Sequence, residues 1–487
     1  MSRYTRFPPP APAGVPGATG PDDGAPDTAP DSAPGRAGRV PGRVAPMDAA
    51  RRLNPLVPAL MIALVLPIFF NLGPLRLSPN RLVLAVALFP ALILWASGRA
   101  GPVRASDGFA LFFCFWLSLS YLVTGGAANL ELVGISCIEV LAPYFMARVF
   151  IRSEADFAGL LRILFWIVVI LAPLACFEAV TGRAPLLALL DTVFTTPPAA
   201  NTDPRLGLTR AQTAFEHPIL SGIFAGMLFA PIRSLARAQG RSETTALLFA
   251  APAAAVTFFS LSAGAWLGLM AQCGLIAWGL VFRNVPRRWH ILGALVAAGY
   301  VFIDLASNRS APQVLMSLLA FDAHTAYWRV LIFDFGMDNV WAHPLVGLGM
   351  GDWARPEWMA SRSVDNFWLV NAMKFGIPGF IGIVGIYFAA LVTMCRARPT
   401  SPGARLMREA LVFALIGLGL QIATVHLWNA TYVFAMFMLG AGAWLADAPQ
   451  EQAGDVSPAP GRSGGAAASR PSGRSPRPAA PPKAARA

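Results

Sequence analysis

Long apolar runs, separated by short polar connections, make up most of this chain between residues 51 and 446. A run of roughly 20 apolar residues is long enough for a helix to cross about 30 Å of hydrocarbon. Twelve runs approach this length, at 55–71, 81–97, 108–124, 130–147, 158–180, 217–232, 244–260, 263–282, 289–306, 377–395, 409–426 and 428–445. The pattern therefore predicts an all-α polytopic membrane protein, a bundle of about twelve transmembrane helices.

The composition agrees with this class. Of the 487 residues 55% are hydrophobic and only 13% are charged, too few charges to cover a water-soluble surface of that size. The net charge of +12 comes from arginines in the tails and in short connections, where they orient a membrane protein, so no nucleic-acid partner is expected. The cysteines lie in or beside apolar runs without the spacing of metal ligands. We expect no metal site and no cofactor.

Both ends of the chain have a different composition, rich in Pro, Ala, Gly and Arg, which predicts disordered tails. Arginines concentrate in alternate connections, which places both termini in the cytoplasm. The predicted order is a tail at 1–50, nine helices in 51–306 with a periplasmic loop at 181–216, a large periplasmic loop with short helices at 307–376, three helices in 377–446 and a tail at 447–487.

The first long loop, 181–216, brings arginines to the edge of the predicted sixth span. Arg205 and Arg210 are either anchors for lipid phosphate or ligands of a substrate. His217 precedes Pro218, a pattern typical of a helix N-cap and first turn, although a role at a site stays open. Gly222 and Gly226 predict close helix packing at the start of the same span.

The second long loop contains a segment with helical periodicity. Apolar residues recur at steps of three and four, at Val330, Phe333, Met337, Val340 and Trp341. They predict a helix with one apolar stripe, while Asp334 and Asp338 line another face. Arg329 falls at the edge of the stripe, and a guanidinium there needs either an internal carboxylate or an anionic ligand.

The segment that follows is rich in residues that stop or turn a helix. Pro344 ends the predicted helix, and Gly347, Gly349 and Gly351 permit a tight turn. No strand precedes these glycines, so they do not indicate a nucleotide-binding loop. Asp365 is either an N-cap or a catalytic residue of a short helix that Gly376 and Pro378 break from the tenth span.

Three stretches together resemble the bacterial O-antigen ligase and polysaccharide polymerase family of the inner membrane. They are RAQTAFEHPILSG, YWRVLIFDFGMDNVWAHPLVGLGMGDW and DNFWLVNAMKFGIPG. The resemblance implies an enzyme that takes a glycan from an undecaprenyl diphosphate carrier on the periplasmic side. It also implies membrane lipids, and possible further polysaccharide assembly proteins, as partners.

The resemblance also implies roles for individual residues. Arg210 and Arg329 match the loop arginines that engage the diphosphate, and Arg205 is a further candidate. Asp365, Asn366 and Arg329 are the catalytic candidates. Where the family usually has His-Asn, this chain has Asp365-Asn366, so the general base stays open, and His217, His324 and His343 are alternatives to Asp365. A second departure is Ser262-Ala263-Gly264 in place of Ser-Arg-Gly.

The missing ligase histidine favours a polymerase of exopolysaccharide or O-antigen. A ligase that transfers the glycan to lipid A core is the alternative within the family. A lipid-linked oligosaccharide flippase or transporter is the alternative from another class; the chain shows no similarity between its halves, which transporters commonly have. The first outer loop, NLGPLRLSPNR, lacks the acidic residues of metal-dependent lipid glycosyltransferases.

Overall fold

A computed structural model describes residues 53–72, 75–307, 323–359 and 361–450. These residues fold mainly into helices joined by loops, with one two-stranded hairpin between the first two helices. The predicted tails, 1–50 and 447–487, lie outside the described residues apart from positions 447–450. The all-α class predicted from the sequence is confirmed.

The described residues form sixteen α-helices in this order: α1 (Leu56–Leu64), α2 (Pro79–Ala96), α3 (Ala105–Gly125), α4 (Leu130–Phe150), α5 (Glu154–Thr181), α6 (Pro185–Leu190), α7 (Pro218–Gly226), α8 (Phe229–Ala238), α9 (Glu243–Phe259), α10 (Ala263–Val281), α11 (Arg288–Ala306), α12 (Ala323–Ala342), α13 (Phe367–Arg396), α14 (Pro402–Ile422), α15 (Asn429–Ala441) and α16 (Trp444–Asp447). A 3-10 helix (Gly126–Asn129) joins α3 to α4. The strands β1 (Phe70–Leu72) and β2 (Leu75–Leu77) pair antiparallel, with Phe70 opposite Leu77.

Eight helical segments of the described chain are long and apolar enough to cross a membrane. Each of the twelve predicted runs contains a helix, and one of the eight segments, Ala105–Phe150, holds two of them. Among the remaining runs, α1 has 9 residues and α9 has 17, while α14 carries charged residues near its start. The polytopic membrane class is therefore supported, and the count of twelve spans stays a prediction.

The helices α7 and α8 lie at the centre of the bundle and are almost wholly buried. The backbone at Gly222 lies so close to Ser260 and Ala265 that a Cβ would overlap both side chains. Gly226 lies against Gln421 and Thr257. The close packing predicted for the two glycines is therefore observed, and it brings α9, α10 and α14 around the start of α7.

Helix α13 is broken at Gly376, where φ is 67°. A break in a helix leaves backbone carbonyls without their usual partners, and buried ones must find others. Here the backbone N–H groups of Leu348 and Gly349 donate to the carbonyls of Met373 and Lys374, at 2.8 and 2.9 Å. The Gly-rich turn thus supplies the hydrogen-bond donors that the carbonyls at the break require. The break itself lies at Gly376, where the sequence predicts it.

Side chains of α3 also donate hydrogen bonds to the backbone around the break at Gly376. Trp116 donates its indole N–H to the carbonyls of Leu345 and Phe375, at 3.1 and 3.0 Å, and Ser120 donates to the carbonyl of Lys374 at 3.1 Å. The backbone N–H of Ile377 donates to the carbonyl of Pro344 at 2.7 Å. The position of Lys374 is therefore held by hydrogen bonds from two directions.

The apolar stripe predicted for α12 is buried only in part: Val340 is buried and Met337 packs against the same cluster. Trp341 is 65% exposed and Phe333 36% exposed, although both belong to the predicted stripe. The helix packs against α13 through Gly336, which touches Leu369, and through Val340 of the predicted stripe. Gly336 lies at this contact because a residue without a side chain allows the two helix backbones to approach closely.

Candidate functional site

A cavity of about 990 Å³ lies at one end of the bundle. Its walls come from four connections and the adjoining helix ends, within 205–219, 261–266, 348–374 and 424–428, together with Arg329 of α12. These four connections all belong to the alternate set that the sequence predicts on one side of the membrane. Charged side chains from separate parts of the chain therefore meet in one space.

Arg210 is held in the loop that precedes α7. The carboxylate of Glu178, near the end of α5, accepts hydrogen bonds from the backbone of Gln212 and Thr213, each at 2.9 Å. Arg210 is 9% exposed, and its Nε donates to the carbonyl of Ser260 at 3.4 Å. Burial, and then the charge of Arg205, lowers the pKa of Arg210 to about 10. The guanidinium thus lies where an added anion would be strongly favoured.

Arg205 lies in a tight turn closed by two backbone hydrogen bonds with Leu208, each at 2.9 Å. Its Nη1 donates to the carbonyl of Leu261 at 2.9 Å, which directs the side chain toward the start of α10. Its positive charge lowers the pKa of both Arg210 and Arg329. The three arginines therefore share one region of the cavity.

Arg329 enters the cavity from α12. Its Nε and Nη1 atoms are buried and have no hydrogen-bond partner among the described residues. Burial lowers the pKa of Arg329, and the carboxylate of Asp365 opposes that shift. Buried donors without partners are rare because each one loses its hydrogen bonds to water. Arg329 thus lines the cavity and carries two buried donors that no described residue satisfies.

Two arginines inside the bundle, Arg148 and Arg81, have carboxylate partners. Arg148 and Asp107, both fully buried, form a two-point ion pair with N–O distances of 2.9 and 3.0 Å. Arg81 pairs with Glu139 at 2.8 Å. No such ion pair is formed by Arg329 with any residue that the structure describes. This contrast separates the cavity arginine from the structural ones.

The cavity has an excess of positive charge. Its cationic side chains are Arg205, Arg210, Arg329, Arg362 and Lys374, and its carboxylates are Asp352 and Asp365. Asp352 is already bound by Arg355 at 2.7 Å and Arg362 at 3.2 Å. Within the described ranges, no group of three or more His, Cys, Asp or Glu residues is arranged to hold a metal ion. The arrangement is suited to an anionic ligand.

Asp365 and Asn366 have different positions at the start of α13. Asn366 is the N-cap, because its side chain accepts the backbone N–H of Leu369 at 3.1 Å, and it does not line the cavity. Asp365 lines the cavity and accepts a hydrogen bond from the hydroxyl of Ser363 at 3.0 Å. The capping role weighed for Asp365 from the sequence therefore belongs to its neighbour.

The three histidines named from the sequence occupy different places. His217 lines the cavity and caps α7, its Nδ1 accepting the backbone N–H of Ile219 at 3.2 Å. Burial, and then the charge of Arg210, lowers the pKa of His217 to about 4. His343 is exposed outside the cavity wall. The side chain of His324 lies outside the described residues.

The lining residues that were not singled out from the sequence include Lys374 and His426. Lys374 is the one charged residue in the apolar stretch between Phe367 and Met394, and a lone charge in such a stretch signals function. His426 is the last residue of the predicted run 409–426, where no pattern indicates a site. Its contact with the cavity depends on the way α13 and α14 pack, which no local pattern reveals.

The fold and the cavity define a helical membrane protein with a positively charged cavity that suits an anionic ligand. Residues 247–384 match the family model described as O-Antigen ligase, from within α9 to within α13. This match supports the O-antigen ligase and polymerase family, the family that the sequence resembles, and a function of that general type. It includes Arg329, Asp365 and Lys374 but neither Arg210 nor His426. A search of curated proteins finds no match.

Proposed function

We propose that the protein is a membrane glycosyltransferase that transfers a glycan from a polyprenyl diphosphate carrier at the periplasmic face of the inner membrane. The observation that carries this proposal is the meeting of Arg205, Arg210 and Arg329 in one cavity, where two donors of Arg329 have no partner among the described residues. A diphosphate has closely spaced anionic oxygens, and the planar guanidinium donates parallel hydrogen bonds to such pairs. The chemistry of this donor set therefore fits the carrier.

The reaction requires negative charge to be stabilised on the departing diphosphate. As the bond from the anomeric carbon to the phosphate oxygen breaks, its electron pair moves to the leaving group. Fixed cationic donors in a partly desolvated site stabilise this charge more strongly than water does. Arg210 and two donor atoms of Arg329 are buried and positioned in advance, so little reorganisation is needed during transfer.

We propose that Asp365 acts as a counter-ion of Arg329. The charge of its carboxylate favours the protonated form of Arg329, and it also acts on His217. A carboxylate near these two groups lowers the cost of positive charge in the empty cavity. This role differs from the catalytic base suggested by its position in the family pattern, and a substitution separates the two.

Asp365→Asn is therefore expected to lower the rate of glycan transfer by about tenfold or less, because it removes one charge and leaves the arginines in place. A general base contributes roughly 10²–10⁴-fold, so loss of the base would have a larger effect. Transfer is measured with purified protein over neutral pH. A loss above 100-fold would contradict the counter-ion role, and Ser361→Ala, an exposed residue of the same connection, is the control.

We propose that the acceptor is another lipid-linked repeat unit, which makes the protein a polymerase. The support is the replacement of the family's histidine by Asp365, since a ligase to lipid A core is expected to retain it. The test is glycan analysis of a deletion strain. A polymerase deletion leaves glycans of a single repeat unit. A ligase deletion instead leaves long chains on the polyprenyl carrier. Unchanged glycans in that strain would contradict both roles.

A further inference from the structure

The cavity contains a second polar cluster, formed by Lys374 and His426. Lys374 comes from α13, two residues before the break at Gly376, and His426 from the connection between α14 and α15. The ammonium of Lys374 makes no hydrogen bond or ion pair with the part of the chain that the structure describes. The Nδ1 atom of His426 is buried and has no hydrogen-bond partner there either. Both residues thus line the cavity, and neither polar group has a partner among the described residues.

The ring of His426 is held in a defined plane. It stacks on Phe367 and on Trp428, with ring centroids 5.9 and 6.1 Å apart and an interplanar angle of 24° in each case. The backbone N–H of Phe367 donates to the carbonyl of Val425 at 3.2 Å, which ties the start of α13 to this connection. A buried nitrogen without a partner costs free energy. Its presence in a ring held in a fixed plane beside a cavity therefore indicates a role in ligand binding.

This cluster is electrostatically separate from the arginines. The pKa of His426 is lowered to about 4 by burial and then by the charge of Lys374. The pKa of His217, in contrast, is influenced by Arg210, Asp365 and Arg205. His426 is therefore a neutral imidazole at neutral pH, able to accept a proton.

We propose that Lys374 and His426 form the acceptor subsite, where His426 is the general base for the attacking sugar hydroxyl. This inference rests on the proposed function. The hydroxyl oxygen bonds to the anomeric carbon, and the bond from that carbon to the diphosphate breaks with its electrons passing to the phosphate oxygen. The hydroxyl proton passes to the imidazole of His426, which later releases it to water. Lys374 donates a hydrogen bond to the acceptor oxygen as its negative charge develops.

The test uses the full chain, purified and placed in lipid nanodiscs, with two measurements. The first is binding of undecaprenyl diphosphate, and the second is glycan transfer from a lipid-linked donor. His426→Gln is expected to lower transfer by about 100-fold or more while diphosphate binding stays at the wild-type level. The control is His343→Gln, an exposed histidine outside the cavity wall, which is expected to leave both measurements unchanged.

Chemical rescue separates a base from a merely structural residue. His426→Gly leaves space for free imidazole, which is expected to restore transfer at least tenfold over the unrescued variant. Wild-type transfer by His426→Gln would overturn the inference, and so would an inactive His426→Gly variant that imidazole does not rescue. Failure of the proposed function is distinct, because the wild-type protein would then bind no undecaprenyl diphosphate at all.

Discussion

Arg329→Ala is expected to abolish the glycan product while the amount of protein in the membrane stays unchanged. The Nε and Nη1 donors of Arg329 have no partners within the described residues, so alanine leaves no described acceptor of these donors unsatisfied. Loss of a single donor to a developing anion lowers a rate by about 10²–10³-fold. Arg329 supplies two donors and a charge, so we expect a loss of at least about 10³-fold. Gel profiles of glycan from a complemented deletion strain measure it.

A matched control is available in the loop that carries Arg210. Arg183 is exposed at the end of α5 and does not line the cavity, so Arg183→Ala is expected to give glycan of normal length. Arg210→Ala is expected to behave as Arg329→Ala does. Normal glycan from Arg329→Ala, at normal protein amounts, would contradict its role at the diphosphate.

Gly376→Ala is expected to destabilise the protein and to abolish transfer. At φ 67° a residue with a Cβ is strained, and the Cβ would overlap the carbonyl oxygen of Leu345 in the Gly-rich turn. Backbone strain and overpacking each cost about 1–3 kcal/mol, so a combined loss of roughly 3 kcal/mol is expected. The substitution would also displace Lys374, two residues away. Thermal unfolding in detergent and glycan transfer are the two measurements.

The control for this substitution is Gly299→Ala in α11. No atom lies within 4 Å of the Cβ that it would add, and alanine favours a helix more than glycine does. It is therefore expected to leave unfolding unchanged or to raise the unfolding temperature slightly. An unfolding temperature of Gly376→Ala equal to that of the wild type would show that the turn does not require glycine.

Much of the fold follows from local rules. Apolar runs become helices because a helix satisfies its own backbone hydrogen bonds in an apolar surrounding. The cap at His217 and the break at Gly376 follow from proline and glycine chemistry in the same way. The candidate arginines were recognisable because Arg205, Arg210 and Arg329 stand in the two long connections between apolar segments.

The remainder depends on packing between distant segments. The buried face of α12 includes Gly336, which closely approaches Leu369. Phe333 and Trp341 of the predicted stripe are left exposed. His426 reaches the cavity only because α13 begins beside the connection that carries it. Such contacts join residues far apart in the chain, and a periodicity within one segment contains no information about them.

The central claim is that Arg210 and Arg329 bind the same diphosphate. Binding of undecaprenyl diphosphate to purified protein, compared among wild type, Arg210→Ala, Arg329→Ala and the double variant, tests it most directly. We predict that each single substitution weakens binding at least tenfold and that the double variant loses less than the two effects combined, as coupled residues do. Wild-type affinity in either single variant, or strictly independent effects, would contradict the claim.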